Sequence, residues 1–467
     1  ALTRVSDSLG RVDSYHFEGE AGLQRLVRHE RADGSQMRYE YDSAARLVAT
    51  TDPLGRTTRL LLDAQGQLLS AQGPDRRRAR RQLDTITGQL LQSQDASGAV
   101  TRYGYDNFGR LTEVTLPDRG TERYTYPSPQ EAPLSCDSPT TIEDARGGTK
   151  HLRFSDAGLL VAYTDCSGSS THYQYDRFGE LLQVTDALGQ RQRLERDAAG
   201  RVIAAIHPDG SREQYQHNSA GQIVHIALHG PQGSDTAGAG SAQAASHIEL
   251  AYDLWGRLIS RVHGGLALQF EYDAAGRLSR LLNENGAQSR FAWDVMDRLT
   301  QEEGFDRRLQ NYRWDAAGQL SKARDGNAAA QRSTHYRWDD AGRLAERKLP
   351  ATEAAPAQTH RYEWDAAGRL MAASVHGPHE QGEQTQSRIE IERDALGRIT
   401  GETQRLYRVG KSGQPEIEFE HTIAHRLDAL GNRQASQLQG VGQTEWLLYG
   451  SGHGHGLEHG GAARIDF

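Results

Sequence analysis

The chain lacks most of what usually holds a protein of 467 residues together or addresses it to a place. It has two cysteines, Cys136 and Cys166, both in turn or loop phrases. No disulfide framework therefore holds the fold, although one bridge between the two stays open. No apolar run approaches a membrane span, and no signal-peptide pattern opens the chain at Ala1. Hydrophobic residues are only 36% of the total and mean hydropathy is -0.73, lean for a chain too long to share one core. A dominant charge is missing too. Basic residues number 54 and acidic ones 62, interleaved to a net -8, which does not make a nucleic-acid surface. Nothing recurs at the 3.6-residue helical period. With 50 glycines, composition alone would leave disorder open.

Against these absences stands one repeated phrase: aromatic, any residue, aromatic, Asp, two residues, Gly, Arg or Gln, Leu. It reads in full from Tyr103 to Leu111 and returns from Tyr173, Phe270, Phe291, Tyr312, Tyr336 and Tyr362. With Ala45 in the Gly place it starts at Tyr39. Weaker copies begin the Asp step at Asp63, Asp84, Asp156, Asp197, Asn218, Asp394 and Asp428. The commonest interval, about 21 residues, marks a repeat architecture.

The residues that define the repeat are therefore structural. They are Tyr41-Asp42; Tyr105-Asp106 with Gly109; Tyr175-Asp176 with Gly179; Tyr252-Asp253 with Gly256; and Tyr272-Asp273 with Gly276. Tryptophan then takes the ring place, in Trp293-Asp294, Trp314-Asp315 with Gly318, Trp338-Asp339 with Gly342, and Trp364-Asp365 with Gly368.

Aromatic-x-aromatic has period two, which puts both rings on one face of a β-strand. The Asp-x-x-Gly that follows is a turn: Asp caps backbone N–H groups two residues on and Gly supplies the left-handed conformation. A second turn follows about ten residues later, as in Thr51-Asp52-Pro53-Leu54-Gly55 and Thr185-Asp186-Ala187-Leu188-Gly189. Each repeat is thus a hairpin, and successive hairpins should pair into one antiparallel ribbon. About 44 strands at roughly 4.8 Å spacing make a ribbon roughly 210 Å long. The expected fold is all-β, with one domain over 1–467. Loop insertions are expected near 126–141, 230–246, 350–358, 376–387 and 408–415. The chain opens inside a repeat-like phrase, Asp7-Ser8-Leu9-Gly10-Arg11, and stops at Phe467 without a capping pattern, so it reads as part of a larger shell.

Candidate sites are few. The repeated Asp residues suggest calcium only superficially, because one carboxylate per turn is not the alternating ligand set of a calcium loop. His453, His455 and His459 form the one His cluster that zinc could use if the rings converged, but no Cys or recognisable ligand spacing completes it. Arg76, Arg77, Arg78, Arg80 and Arg81 form the one basic run; on a strand they would point to both faces and be solvated or salt-paired. No nucleophile elbow, catalytic constellation, metal site or cofactor motif is present.

The phrases Tyr272-Asp273-Ala274-Ala275-Gly276-Arg277-Leu278 and Trp364-Asp365-Ala366-Ala367-Gly368-Arg369-Leu370 resemble the YD repeats of the Rhs family, over essentially the whole chain. The Trp-for-Tyr copies and Leu448 to Gly456 look like its bacterial members. The resemblance implies a spiral antiparallel β-sheet forming part of a hollow cocoon around a C-terminal toxin, delivered by type VI secretion in interbacterial competition. It implies as partners that toxin of the same polypeptide, the VgrG spike, an effector chaperone and an immunity protein. It places the protein in the bacterial cytoplasm before export and then in target cells. The family's PAAR region, its aspartyl self-cleavage segment and its toxin domain match nothing in these residues. The expected role is enclosure rather than catalysis. The alternatives are the shell of an insecticidal toxin complex or an adhesion ectodomain; an enzyme site on the sheet is the remaining class.

Overall fold

The computed structural model describes residues 1–20, 22–231, 246–327, 330–380, 382–410, 413–449, 452–461 and 463–466. Forty strands run from β1 (Leu2–Ser6) to β40 (Ala463–Asp466), with no helix among the described residues. Each strand pairs antiparallel with the one before and the one after it in the chain. No register joins β40 to β1 among the described residues, so the sheet is an open ribbon.

One repeat shows why. In β24 (Leu266–Tyr272), Phe270 and Tyr272 are half-buried on one face while Glu271 is exposed on the other. The chain then turns: the Gly276 amide donates to the Asp273 carbonyl at 3.0 Å and the Asp273 amide to the Arg277 carbonyl at 2.8 Å. Gly276 sits at φ +81°, the left-handed residue that completes a type I hairpin turn. On the return, β25 (Leu278–Leu282) is bulged: Glu271 faces Arg280 and Tyr272 faces Leu278, leaving Ser279 unpaired. The same slip recurs at Glu40/Tyr41, Gly104/Tyr105, Ala292/Trp293 and Glu363/Trp364.

The wall is one layer thick. The buried apolar residues are small, such as Ala49, Ala204 and Ala372, and no large side chain is fully buried among the described residues. Ala49 lies in register between Glu40 and Arg59, and Ala204 between Glu195 and Gln214, where long side chains can lie over it. The accessible surface is 28219 Å². A compact monomer of this mass would expose about 17,400 Å², so the ribbon keeps both faces largely open.

The hairpin turns line two edges. Those after the aromatic pairs form the ring edge; the alternate ones form the far edge. The ribbon coils so that the far edge of its first lap meets the ring edge of its second. The far-edge turn between β3 (Arg25–Glu30) and β4 (Gln36–Tyr41) meets the ring-edge turn between β26 (Gln288–Trp293) and β27 (Leu299–Glu303). The turn between β11 (Leu111–Thr115) and β12 (Thr121–Thr125) meets that between β34 (Gly382–Arg393) and β35 (Ile399–Val409). Both offsets are 23 strands. A lap of about 23–24 strands is therefore roughly 110–115 Å around and roughly 35 Å across between backbones.

Several expectations need adjusting. Residues 376–379 and 382–387 are strand, not loop: the added length extends a hairpin of β33 (Leu370–His379) and β34. Of 408–415, residues 408 and 409 end β35 and Pro415 opens β36 (Pro415–Leu427). The stretches between β12 and β13 (Thr141–Glu143), and between β31 (Leu344–Leu349) and β32 (Gln358–Trp364), carry no strand. The expected insertion at 230–246 falls almost wholly outside the described residues. The weak copy read from Asp156 starts at Ser155, whose carbonyl accepts the Gly158 amide. The basic run is not all strand: Arg76 and Arg77 lie in the turn before β8 (Arg78–Leu83).

Candidate functional site: ring ladder, turns and seam

The aromatic residue before each Asp is a hydrogen-bond donor as well as a ring. The β25–β26 register begins at Arg280 and Arg290, so Leu278 has no strand partner on that side. Trp293 fills the gap, its Nε1 donating to the Leu278 carbonyl at 2.8 Å. Trp314 does the same to Leu299, Trp338 to Leu320 and Trp364 to Leu344, each at 2.8 Å. Tyrosine hydroxyls make the equivalent bond: Tyr41 to Leu26, Tyr105 to Leu90, Tyr175 to Leu160, Tyr252 to Ile223 and Tyr272 to Leu258, at 2.7–3.0 Å. Arg196 and Arg393 occupy the ring place of weaker copies and donate their guanidinium to Leu181 and Leu370. The position therefore selects a long side chain with a donor at its tip, which is why Tyr and Trp interchange. Ring periodicity reveals the face but not this bond.

Where Arg follows the turn, the Asp uses both carboxylate oxygens; with Glu180 or Gln319 there, Asp176 and Asp315 use Oδ1 on the turn amides. Asp273 Oδ1 accepts the amides of Ala275 and Arg277 at 2.9 and 3.0 Å, and Oδ2 takes Arg277 Nε at 2.7 Å. The pattern repeats at Asp42, Asp106, Asp294 and Asp339. Burial pushes Asp365 and Asp394 up, but the paired guanidinium and turn amides outweigh it and hold both below the usual carboxylate range. The Arg then reaches on along the edge: Arg277 Nη1 donates to the Asp294 carbonyl, and Arg298 Nη1 to that of Asp315. Gly109, Gly179, Gly256, Gly318, Gly342 and Gly368 all hold the left-handed place of their turns.

The seam between laps is polar. Arg298, Arg343 and Arg398 spend Nε on their own turn Asp and Nη1 on the next ring-edge turn. Their Nη2 crosses to Asp33, Asp75 and Asp118 at 3.3, 3.4 and 3.2 Å. Those three acceptors share a geometry: each is the third residue of a far-edge turn, with Oδ1 capping its own turn and Oδ2 facing the other lap. Arg11 and Arg77 cross the other way, to Asp297 and the Asp365 carbonyl. Arg56 joins Gln319 at 2.9 Å and Arg146 joins Asp428 at 3.0 Å. These partners lie 263–288 residues apart.

His453 and His459 take separate partners, and the side chain of His455 lies outside the described residues. His453 pairs with Asp165 across the seam at 3.1 Å, while His459 meets Thr444 at 2.8 Å. Among the described residues, no three His, Cys, Asp or Glu are placed to hold a metal. No disulfide joins Cys136 to Cys166. The clefts straddling the seam are lined by turn residues, Asp33, Arg298 and Asp315 in one and Ser97, Arg369 and Asp394 in another. No helix of the described residues is long and apolar enough to cross a membrane.

The RHS Repeat family model matches residues 22–57, 46–78, 87–126 and 154–192, and the Teneurin YD-shell model matches 205–303. The chain belongs to the Rhs YD-repeat family. Its Rhs hairpins continue in the same geometry well past residue 303, through Trp314, Trp338 and Trp364. The Rhs ribbon is 44% identical over 164 residues to Toxin protein Tse5 of Pseudomonas aeruginosa (strain PAO1), a match covering 35% of this chain and 12% of that protein. Its fold is that of the crystal structure of TcdB2-TccC3-Cdc42 (TM-score 0.60, 15% identity, 96% of this chain and 27% of that one). That of TcdB2-TccC3-TEV is similar (TM-score 0.56, 16% identity, 94% and 28%). The chain therefore spans about an eighth of the curated relative and about a quarter of the structural ones.

Proposed function

We propose that this ribbon is container wall: it encloses a toxic C-terminal segment of the same polypeptide until delivery. The observation that carries this reading is the coil itself, a one-layer sheet whose successive laps are riveted edge to edge around a lumen. Taking about 5 Å of sheet from each side leaves a bore roughly 25 Å wide. A folded domain of about 100 residues, with a radius of gyration near 13 Å, is roughly 34 Å across. Cargo at this girth would be extended or incompletely folded. A wall does no chemistry, and no catalytic role is assigned to these residues; any aspartyl self-cleavage would belong to other parts of the polypeptide.

The likeness to Toxin protein Tse5 supports a bacterial effector, carried from the cytoplasm by type VI secretion into competing cells. A VgrG spike, an effector chaperone and an immunity protein would be its partners. The fold shared with the TcdB2-TccC3 assemblies supports the second reading, the shell of an insecticidal toxin complex. Limited proteolysis of the full-length protein tests enclosure. The C-terminal region should survive while the wall is intact and be digested once the wall is unfolded. Digestion at the rate of an exposed tail under native conditions would reject the container.

A further inference from the structure

The face opposite the rings carries long charged side chains, and from β31 to β36 they balance. Arg361 meets Glu346 and Glu383, Arg388 meets Glu363 and Glu390, and Arg405 meets Glu390 and Glu420. From β4 to β10 (Val100–Tyr105) the same face is unbalanced. It presents Arg38, Arg59, Arg78, Arg80 and Arg102 against one carboxylate, Glu40. Arg59 reaches Glu40 at 3.7 Å and Arg78 meets the Gln72 amide oxygen. Arg38, Arg80 and Arg102 form no ion pair among the described residues. Glutamine stands where an acid would balance them: register places Gln72 between Arg59 and Arg78, Gln94 beside Arg80 and Gln92 beside Arg102.

The excess straddles the seam rather than an outer edge. On the second lap Arg313 and Lys322 pair in register on this face. One seam cleft is lined by Arg38 and Trp314, the next by Arg59, Arg76 and Asp340. Of the carboxylates in these clefts, Asp33, Asp52 and Asp315 are spent on rivets and turns, and Asp340 is exposed.

Two features say what such a patch fits. No aromatic ring interleaves with the arginines, because Tyr39, Tyr41, Tyr103 and Tyr105 belong to the other face. Single-stranded nucleic acid is held by stacking on such rings. The spacing suits a polypeptide: Arg59 and Arg78 are two strands apart, roughly 9.6 Å, and three residues of extended chain span roughly 10 Å. Curvature gives the side of the wall. Inside a coil of roughly 17 Å radius, tips reaching about 6 Å inward would share about two-thirds of the backbone circumference and bury one another. Arg59 and Glu40 instead splay, 64% and 58% exposed, while the rings of the other face are half-buried with no second layer over them.

We propose that this patch lies on the outside of the coil and docks an acidic, extended segment of another protein. The segment crosses the strands with a carboxylate at every third residue, and the contacts weaken with salt because they are exposed.

Fluorescence anisotropy of a labelled peptide of about 13 residues, with Glu at every third place, tests this on the 467-residue chain. Binding at about 50 mM salt should fade as salt rises. The quadruple variant Arg59→Gln, Arg78→Gln, Arg80→Gln, Arg102→Gln should bind about thirtyfold more weakly, the loss expected from four exposed charge pairs. Its circular dichroism and melting should match the parent. Replacing Arg123, Arg153, Arg191 and Arg193 of the same face by Gln removes equal charge elsewhere and should leave binding within about threefold. The peptide flanked at both ends by folded carriers of about 250 residues, each roughly 46 Å across and too wide for the bore, should still bind. Absence of binding, equal loss in both quadruple variants, loss on adding the carriers, or tighter binding of single-stranded DNA of equal charge would each overturn the proposal.

Discussion

Replacing Trp314 by Phe isolates the donor from the ring. Trp314 Nε1 donates at 2.8 Å to the Leu299 carbonyl. The next register starts at Gln301 and Asn311, so no strand amide can take the donor's place. Phe keeps most of the apolar surface but leaves that carbonyl without its bond, at a cost of about 1–3 kcal/mol if water cannot reach it. Tyr restores a donor of the kind Tyr272 uses at 2.7 Å and should recover most of the loss. Ala removes ring and donor together and should cost about 3–5 kcal/mol, with the upper end requiring full burial that this half-buried ring lacks. Because a repeat array opens locally, the assay is amide exchange across β27 and β28 (Leu309–Trp314), alongside urea unfolding. The order expected is parent, Tyr, Phe, Ala. Phe as protected as the parent, or Tyr no better than Phe, would refute the donor role; a neutral Ala would show that the ring face contributes no packing.

Ala45 holds the left-handed place of its turn at φ 62°, so Ala45→Gly should stabilise that hairpin by about 1 kcal/mol, read as a rise in urea midpoint. Asp365→Ala, which removes the turn-amide and guanidinium contacts, should cost about 1–2 kcal/mol and leave metal content unchanged by elemental analysis. Acid should act on the turns together. Asp365 and Asp394 lie below their unfolded values, so the stability they contribute is complete above about pH 4 and is lost as pH falls through the folded values; a pH series of melting temperatures checks the direction. At the other extreme, burial and then Glu122 and Glu213 raise Tyr124 and Tyr215 to about 12, so their contribution is complete below about pH 10 and fades as pH approaches 12. Asp75→Asn with Asp118→Asn should loosen the seam without unfolding hairpins, seen as a larger radius of gyration at unchanged circular dichroism; an unchanged radius would mean the laps are held by something else.

The hairpin and its two turns were legible because both depend on neighbours within about ten residues. Tyr272, Asp273 and Gly276 announce a strand, a cap and a left-handed corner by residue type alone. The ring tips were not legible, because an alternation of apolar residues treats Tyr and Trp as surface and ignores their N–H and O–H; Arg196 and Arg393 in the same place were the available clue. Ser155 was passed over for Asp156 because Asp is the stronger turn signal, although either side chain can cap. Residues 376–387 read as loop because Gly377 and Pro378 are turn residues elsewhere, whereas here they pair in register with Gln384 and Glu383. The seam lay furthest from reach. Asp75 and Arg343 are ordinary turn residues until the curvature of the ribbon brings them together, and no local pattern encodes a lap.

Because the ring edge can meet only the far edge, the offset between laps must be an odd number of strands, as the observed 23 is. Girth is therefore quantised. Gaining or losing one hairpin per lap changes the circumference by about 9.6 Å and the bore by roughly 3 Å, and it hands every Arg on the seam to a neighbouring Asp. A single-strand change would set like edge against like edge and leave the rivets facing solvent. Such a wall can evolve a wider or narrower vessel only by whole repeats, and only where the new neighbour carries its carboxylate in the third place of the turn.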